Sequence, residues 1–269
     1  MELKETGKRK AKVIAVANQK GGVGKTTTAC SLGAGLARHG KKVLVVDLDA
    51  QGNLTSCMGV SEPDSLEHTA ASIMKTLMDG GSVRPDFAIM KHDEGIYFVP
   101  ANIELSGVEV ALVNTMGRES ILKEYISIVS PYFDYILLDT MPSLGMLTIN
   151  ALAAADSVLV PCQAQYLSLN GLEQLIVTIM KVRQKLNPEL DFEGILLTMA
   201  DARTNFSKEI MEMVRHNYGS RIPVFEEHIP LSVRAAETAA EGKSIFVHDP
   251  KGRVAAAYSR LTDEVLANA

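Results

Sequence analysis

The most specific stretch of this chain reads Lys20-Gly21-Gly22-Val23-Gly24-Lys25-Thr26-Thr27. It follows an apolar run, residues 13–17, and precedes residues that can form a helix. A strand, a glycine loop and a helix in this order hold polyphosphates, because backbone N–H groups of the loop and helix N-terminus point at the anion. Lys25 adds a positive charge, and the hydroxyl of Thr26 is placed to bind the Mg²⁺ that accompanies ATP. The stretch therefore predicts a nucleotide-binding loop with Lys25 as a catalytic residue.

The loop departs from the common pattern G-x-x-x-x-G-K-[ST] at its first position, which is Gln19 instead of glycine. Gly21, Gly22 and an additional lysine, Lys20, accompany this change. A glycine turn that binds no ligand is the alternative interpretation. Glycine makes up only about 7% of residues in proteins, so the two additional glycines make a chance match much rarer.

Composition sets limits on the function. The chain has 269 residues, 46% of them hydrophobic and 22% charged, which is typical of a globular protein with a sizeable core. Its net charge of -5 would repel DNA, so any contact with nucleic acid has to come from a local basic patch. No apolar run approaches 18 residues and the N-terminus does not resemble a signal peptide, so neither a transmembrane helix nor secretion is expected.

Three cysteines occur at wide spacing, namely Cys30, Cys57 and Cys162. An odd number at such spacing indicates neither a disulfide framework nor a zinc site, and it fits a reducing cytosol. We interpret them as small, partly buried apolar residues.

The chain is organised as a short leader and one domain. Residues 1–11 are polar and lysine-rich, which predicts a disordered basic leader, and residues 12–269 are expected to form a single domain around the nucleotide-binding P-loop. The strand candidates are 13–17, 43–47, 96–99, 135–139, 157–160 and 194–198, and the helix candidates are 28–39, 66–78, 102–114, 119–129, 168–186, 206–217 and 252–267. Continuous β-branched runs indicate strands that are buried on both faces. The expected fold is therefore α/β, a doubly wound, mostly parallel sheet of seven or eight strands with helices on both faces.

Three aspartates end predicted strands. Asp47 and Asp49 follow the run 43–46, and Asp139 follows the run 135–138. Ligands of open α/β sheets lie outside the carboxyl ends of the strands, so these carboxylates should lie beside the phosphate loop. Because residues two apart on an extended segment point the same way, Asp47 and Asp49 are both expected to face the phosphate and Mg²⁺. Either Asp47 or Asp49 could orient the attacking water, while Asp47 and Asp139 contact the metal. The alternative is that Asp47 or Asp49 only caps the following loop.

On these motifs the chain resembles the ParA/Soj family of DNA-segregation ATPases, within the deviant-Walker-A group of P-loop NTPases that includes MinD and the nitrogenase iron protein. The matching segments are KGGVGKTT at 20–27, DLDAQGN at 47–53, LLDTMPSLG at 137–145, LLTMADARTN at 196–205 and SVRAAE at 232–237. The match extends over residues 12–266, nearly the whole chain. Ala50 and Met141 replace prolines that are common in the family, and Leu231-Ser232 stands where many members have Arg-Asn.

The resemblance implies an ATPase that dimerises around two ATP molecules and hydrolyses them slowly without a partner. Lys20 would reach the ATP phosphates of the opposite subunit, and Asp49 would position the hydrolytic water. Such a dimer concentrates negative charge at one interface, which lysines from opposite subunits can offset.

The resemblance also implies that the ATP-bound dimer binds double-stranded DNA nonspecifically and that a ParB-like centromere-binding partner stimulates hydrolysis. Arg203 and Arg234 match basic positions that contact the phosphate backbone, and their duplication in a dimer would strengthen binding by multivalency. Lys243, Lys251 and Arg253 either extend this patch or belong to an ordinary solvated face. The expected location is the cytoplasm, on the nucleoid, without stable membrane association.

Met199, Pro230 and Ser232 lie at late strand ends, where the family builds its adenine pocket. The alternative is that these three residues only pack in the protein interior.

Three other functions remain open. A MinD-like ATPase that cycles on membranes needs a basic amphipathic C-terminal helix, whereas residues 260–269 are short of lysine and aromatic residues. A redox role like that of the iron protein needs two cysteines per subunit that share a cluster across the dimer, and none of the three cysteines matches those positions. The third is an adaptor that binds nucleotide without turnover.

Overall fold

The computed structural model describes residues 3–6, 10–165, 168–201 and 204–268, with side chains at all of these except 168–170 and 206. Eight strands form one sheet in this part of the chain. The strands are β1 (Lys12–Val16), β2 (Val43–Leu48), β3 (Met90–Lys91), β4 (Tyr97–Val99), β5 (Tyr135–Thr140), β6 (Ser157–Gln163), β7 (Asp191–Ala200) and β8 (Val224–Pro230). Their order in the sheet is β3-β4-β2-β5-β1-β6-β7-β8. Only the β3–β4 pair is antiparallel among these strands, so the prediction of a mostly parallel, doubly wound sheet is confirmed.

Helices cover both faces of this sheet. They are α1 (Lys25–Arg38), α2 (Asn53–Cys57), α3 (Ala70–Met78), α4 (Glu104–Leu112), α5 (Ile121–Val129), α6 (Met146–Ala154), α7 (Ser168–Lys185), α8 (Asn205–Tyr218), α9 (Val233–Glu241), α10 (Ile245–His248) and α11 (Arg253–Ala267). One apolar core lies between the sheet and α3–α8, and a second lies between the opposite face and α1, α2, α10 and α11. Side chains of a strand alternate between these cores: Val13 and Ala15 of β1 contribute to the first, Ile14 and Val16 to the second.

The central strands explain the continuous apolar runs of the sequence. Every residue of β2 and β5 is buried, because each strand has neighbours on both sides and helices on both faces. The six predicted strands are all present, with ends that differ by up to three residues. β3 and β8 were not predicted. β8 is an edge strand with a polar centre, in which only Phe225 and Ile229 are buried, so its sequence lacks a strong strand pattern.

The described part of the predicted leader lies against the domain. Leu3 packs on the first core, and the Thr6 N–H donates to the carbonyl oxygen of Pro131 at 3.0 Å. Lys10 forms an ion pair with Asp156 at 3.3 Å. Leu3, Thr6 and Lys10 therefore contact the domain. The disordered basic leader over residues 1–11 stays a prediction.

The last predicted helix is present and packs on the body of the domain. α11 buries Val254, Tyr258, Leu261 and Val265 against the core that it shares with α1 and β8. None of the helices in the described ranges combines the length and the apolar character needed to cross a bilayer.

Candidate nucleotide-binding site

Three strand ends meet at the centre of the sheet. β5 lies between β1 and β2, so that Asp139 is in register with Val16 on one side and with Asp47 on the other. β1 continues into residues 17–24, and α1 begins at Lys25. Because the three strands are parallel, the loops that follow them share one edge of the sheet. The fold therefore brings the predicted phosphate loop next to the predicted metal-binding aspartates.

The loop depends on glycines with left-handed backbone conformations. Gly22 has φ 70° and Gly24 has φ 86°, a region that side chains with a Cβ rarely adopt. Gly24 is also the N-cap residue of α1 and provides no side-chain oxygen to the N–H groups of the first turn. A helix N-terminus whose N–H groups lack a side-chain cap is an anion-binding site, since those donors and the helix dipole favour negative charge.

A cavity of about 340 Å³ lies over the loop. Every residue of 21–27 except Val23 lines it, and so do Asp49 and Met199. Val23 is buried instead, and its carbonyl oxygen accepts a hydrogen bond from the Thr198 hydroxyl at 2.8 Å. The volume is at the lower end of the range for small-molecule sites, roughly 300–1,000 Å³.

Lys25 is a buried cation at the floor of the site. Its Nζ donates to the carbonyl oxygen of Lys20 at 3.2 Å. Burial lowers the pKa of Lys25, and the nearby carboxylates of Asp139 and Asp49 partly oppose that shift. A buried ammonium group with few partners is stabilised by an anion, and the polyphosphate of a nucleotide would supply one.

Asp47 is held by the protein itself. Its Oδ2 accepts hydrogen bonds from the Thr55 N–H at 2.9 Å and the Thr55 hydroxyl at 2.7 Å, and its Oδ1 accepts from the Asp49 N–H at 3.1 Å. Complete burial raises the pKa of Asp47 to about 6, although these donors oppose the shift. Asp49 differs, because it lines the cavity while its Oδ1 accepts from the Gln51 N–H at 3.0 Å. The two carboxylates therefore have different surroundings, and the expectation that both face the phosphate and Mg²⁺ stays a prediction.

Asp139 has no such partners. It is fully buried at the end of β5, and neither carboxylate oxygen makes a hydrogen bond to a described residue. Burial raises its pKa well above the ordinary value and the neighbouring Asp47 adds to this, whereas the Thr26 hydroxyl and Lys25 act in the opposite direction. A buried acid without donors requires either a proton or a cation.

The residues present fit a magnesium ion. Mg²⁺ prefers hard oxygen ligands, keeps several waters and takes further ligands from phosphate. The carboxylate of Asp139 and the hydroxyl of Thr26 are oxygens of this kind, and they lie beside the phosphate loop. These two residues would hold the ion, with Asp47 behind them.

Lys20 lies beside the loop in a different environment. It lines an open depression of about 530 Å³ together with Pro142, Leu144 and residues of α7. Its Nζ lies 3.3 Å from Oε1 of Gln163, whose Nε2 in turn donates to the carbonyl oxygen of Gly22 at 2.8 Å. The side chain is thus attached to the outer side of the glycine loop.

The predicted adenine contacts fall into two places. Met199 has the unusual φ of 51° and lines the phosphate cavity. Pro230 lines a different cavity of about 330 Å³, which Arg253 and Arg260 also line. Ser232 is the N-cap residue of α9. The assignment of these three residues to an adenine pocket stays a prediction.

The predicted DNA contacts are placed only in part. Arg234 lies in the first turn of α9, with 63% of its side chain exposed, and pairs with Glu237 at 3.2 Å. Arg203 lies outside the described residues. Lys243 forms an ion pair with Glu241 at 3.4 Å, which is ordinary for a solvated surface.

Several lining residues were not singled out from the sequence as site residues. They are Asn53, Ser56 and Cys57 of α2, Pro142 after β5, and Ala239 of α9. Asn53 and Pro142 lie inside the quoted motifs, so proximity to Asp49 and Asp139 is the signal that could have found them. Ala239 comes from a helix far along the chain and had no such signal.

Comparison with known proteins places this site in a family. The family model described as "AAA domain" matches residues 11–192. Sporulation initiation inhibitor protein Soj of Bacillus subtilis is 45% identical over 257 residues, which cover 96% of this chain and 99% of that protein. Chromosome partitioning protein ParA of Myxococcus xanthus is 42% identical over 257 residues, covering 95% of this chain and 88% of that protein.

Solved structures agree with this placement. Cobyrinic acid a,c-diamide synthase from Mycobacterium smegmatis, with bound ATP analogue and magnesium, matches with a TM-score of 0.83 and 39% identity, covering 96% of this chain and 95% of that one. The similarity to these proteins therefore extends over nearly the whole chain. The chain belongs to the ParA/Soj family of P-loop ATPases.

Proposed function

We propose that this chain is a Mg²⁺-dependent ATPase whose ATP-bound dimer binds DNA nonspecifically and, with a ParB-like partner, segregates a replicon on the nucleoid. The observation that carries the proposal is Asp139, a buried carboxylate without hydrogen-bond donors beside Thr26 and Lys25 at an uncapped helix N-terminus. This arrangement suits a metal–triphosphate complex better than any neutral ligand, because it offers donors and a cation to phosphate and oxygens to the metal. The names of the family members support the biological role.

The residues divide the work of hydrolysis. The loop N–H groups and Lys25 bind the phosphates, while Thr26 and Asp139 hold the ion. Mg²⁺ supplies charge neutralisation for phosphoryl transfer. Asp49 lines the cavity with a carboxylate that is fixed on one side by the Gln51 N–H, so it can orient a water toward the terminal phosphate.

Lys20 gives the site its dependence on a second subunit. The lysine is attached to the outer side of the glycine loop and lines the neighbouring depression rather than the floor of its own site. A facing subunit would bring its triphosphate within reach, as an arginine finger does in other nucleotide hydrolases. Lys20→Ala should then remain monomeric with ATP and Mg²⁺, measured by light scattering after size exclusion. Lys75→Ala, which only breaks a surface pair with Glu104, is the control that should dimerise normally.

DNA binding is tested with the same dimers. Fluorescence anisotropy with arbitrary duplex DNA should show binding in ATP that weakens steeply with salt and that is much weaker in ADP. Arg234→Ala should weaken binding for all sequences alike. Arg84→Ala is a matched control, since Arg84 is also an exposed arginine that lies beside a carboxylate. Equal DNA affinity in ADP and ATP, or no response to salt, would contradict the switch.

Two alternatives are separated by simple assays. A MinD-like membrane cycle requires an apolar helix face that is free to enter a bilayer, whereas the apolar side of α11 is buried against α1 and β8. Flotation with anionic liposomes in ATP tests this alternative. An adaptor without turnover would release no phosphate even with DNA and partner present.

A further inference from the structure

Two cysteines that are 27 positions apart in the sequence lie near each other beside the nucleotide site. Cys30 lies in the second turn of α1, the helix that begins at Lys25, and Cys57 is the last residue of α2, which follows the Asp49 loop. Both side chains line a small cavity between α1, α2 and α10. Cys57 also lines the phosphate cavity. The pair therefore lies at the wall that separates the core from the phosphate cavity.

The two thiols have different surroundings. Cys30 is 8% exposed and belongs to the core, whereas Cys57 is partly accessible through the phosphate cavity. The adjacent Cys57 thiol, followed by burial, raises the pKa of Cys30. The Cys30 thiol in turn lowers the pKa of Cys57, although burial and the nearby Asp47 oppose that shift. A partly accessible thiol beside a second, buried thiol is the arrangement of redox-sensing cysteine pairs.

We propose that Cys30 and Cys57 form a peroxide-sensitive dithiol that closes to a disulfide and joins α1 to α2 at the wall of the nucleotide site. The step is balanced with hydrogen peroxide as the oxidant. The Cys57 thiolate attacks one peroxide oxygen, the O–O bond breaks, and Cys57 becomes a sulfenic acid while the other oxygen leaves as water after protonation. The sulfur of Cys30 then attacks the sulfur of Cys57, which forms the S–S bond and releases the second water. Both sulfurs are oxidised and the peroxide is reduced.

The disulfide would act on ATP turnover through position. α1 carries Lys25 and Thr26, and α2 follows the loop that carries Asp49. A covalent bond between these helices would fix the phosphate-binding side of the site to the water-orienting side and displace the Cys57 thiol from the cavity wall. Bound nucleotide covers the same cavity, so ATP should protect Cys57 from oxidation.

Cys162 provides a control within the same chain. It is buried in β6, and burial raises its pKa to about 11, so it should react slowly with peroxide. Cys162→Ser should therefore keep the response of the wild-type protein, whereas Cys57→Ser and Cys30→Ser should each lose the disulfide.

The experiment treats the full-length, reduced protein with hydrogen peroxide, with and without ATP and Mg²⁺, and digests it under non-reducing conditions after blocking free thiols. Mass spectrometry should find the peptides of Cys30 and Cys57 joined with the loss of two hydrogens, in wild type and Cys162→Ser. Phosphate release should fall at least several-fold on oxidation and recover with dithiothreitol.

Peroxide that oxidises Cys57 to a sulfenic or sulfinic acid without joining it to Cys30 would overturn the proposal. The peptide measurement needs neither DNA binding nor dimerisation, so its outcome is separate from that of the proposed function. If Cys30→Ser does not fold, the wild-type and Cys57→Ser measurements still decide.

Discussion

Gly35 of α1 lies directly against Thr262 of α11, and its replacement by alanine should destabilise the domain. An added Cβ would meet Thr262, with the Cβ of Thr262 at 3.1 Å and its Cγ2 at 3.2 Å, and with its hydroxyl well inside van der Waals contact. Thr262 is fully buried and its hydroxyl donates to the carbonyl oxygen of Tyr258 at 2.7 Å. It therefore cannot turn away from the new methyl group without losing this bond.

The expected magnitude follows from three effects. Overpacking of a well-filled core costs about 1–3 kcal/mol. Loss of the Thr262 hydrogen bond costs about 1 kcal/mol. Alanine is the better helix former in the middle of α1, which returns about 1 kcal/mol. Gly35→Ala should therefore lower the free energy of unfolding by about 2 kcal/mol.

The assay is urea denaturation followed by circular dichroism, with Gly107→Ala as the matched control. Gly107 is an exposed residue of α4 where an added Cβ meets nothing within 4 Å, so that variant should gain about 0.5–1 kcal/mol. Adding Thr262→Ala to Gly35→Ala should recover part of the loss, because the clashing hydroxyl and methyl are removed. Equal shifts of the two glycine variants in one direction would refute the packing argument, since they share the propensity effect and differ only in the contact with Thr262.

Asp139→Asn should abolish Mg²⁺-dependent phosphate release and yet stabilise the nucleotide-free protein. The pKa of Asp139 is raised in the folded state, so its ionisation opposes folding at pH values above the ordinary aspartate pKa of about 3.9. The extra stability of the variant in urea melts should therefore vanish as the pH falls toward 4. Asp49→Ala should bind a fluorescent ATP analogue normally and accumulate as dimer, and unchanged turnover would exclude its role with water. Gly242→Ala should cost more than about 1 kcal/mol in the same melts, because the added Cβ would lie 2.6 Å from the Cα of Gly59 at a φ of 59°; a neutral result would show that this contact relaxes easily.

The core of the site was predictable because its parts are local. The glycine loop, the strand before it and the helix after it are contiguous, and the strand-end aspartates follow apolar runs that only buried parallel strands have. In the structure, the register of β2 and β5 places Asp47 directly beside Asp139. The sequence order alone therefore leads to the phosphate loop and its acidic neighbours.

The remaining parts depend on contacts between distant segments. Ser232 at the N-cap and Gly242 at the C-cap of α9 are visible helix signals. The nonpolar residues of this helix are Val233 and alanines, and only Thr238 is buried, so no row of large apolar residues marks it. The proximity of Cys30 to Cys57 likewise depends on the packing of α2 against α1, which spacing along the chain does not reveal. β8 is missed because an edge strand buries little of its surface.

Asp47 and Asp139 show how similar positions can have different functions. Both are fully buried and they face each other in register, yet Asp47 receives three hydrogen bonds from Thr55 and Asp49, whereas Asp139 receives none from the described residues. The bonds of Asp47 hold the loop that carries Asp49, so we expect this carboxylate to contribute to the shape of the site. We expect the unpartnered carboxylate of Asp139 to lower the stability of the nucleotide-free protein and to be compensated when a cation binds. A residue whose burial costs stability in the empty protein is best explained by its ligand, since active sites commonly exchange stability for function in this way.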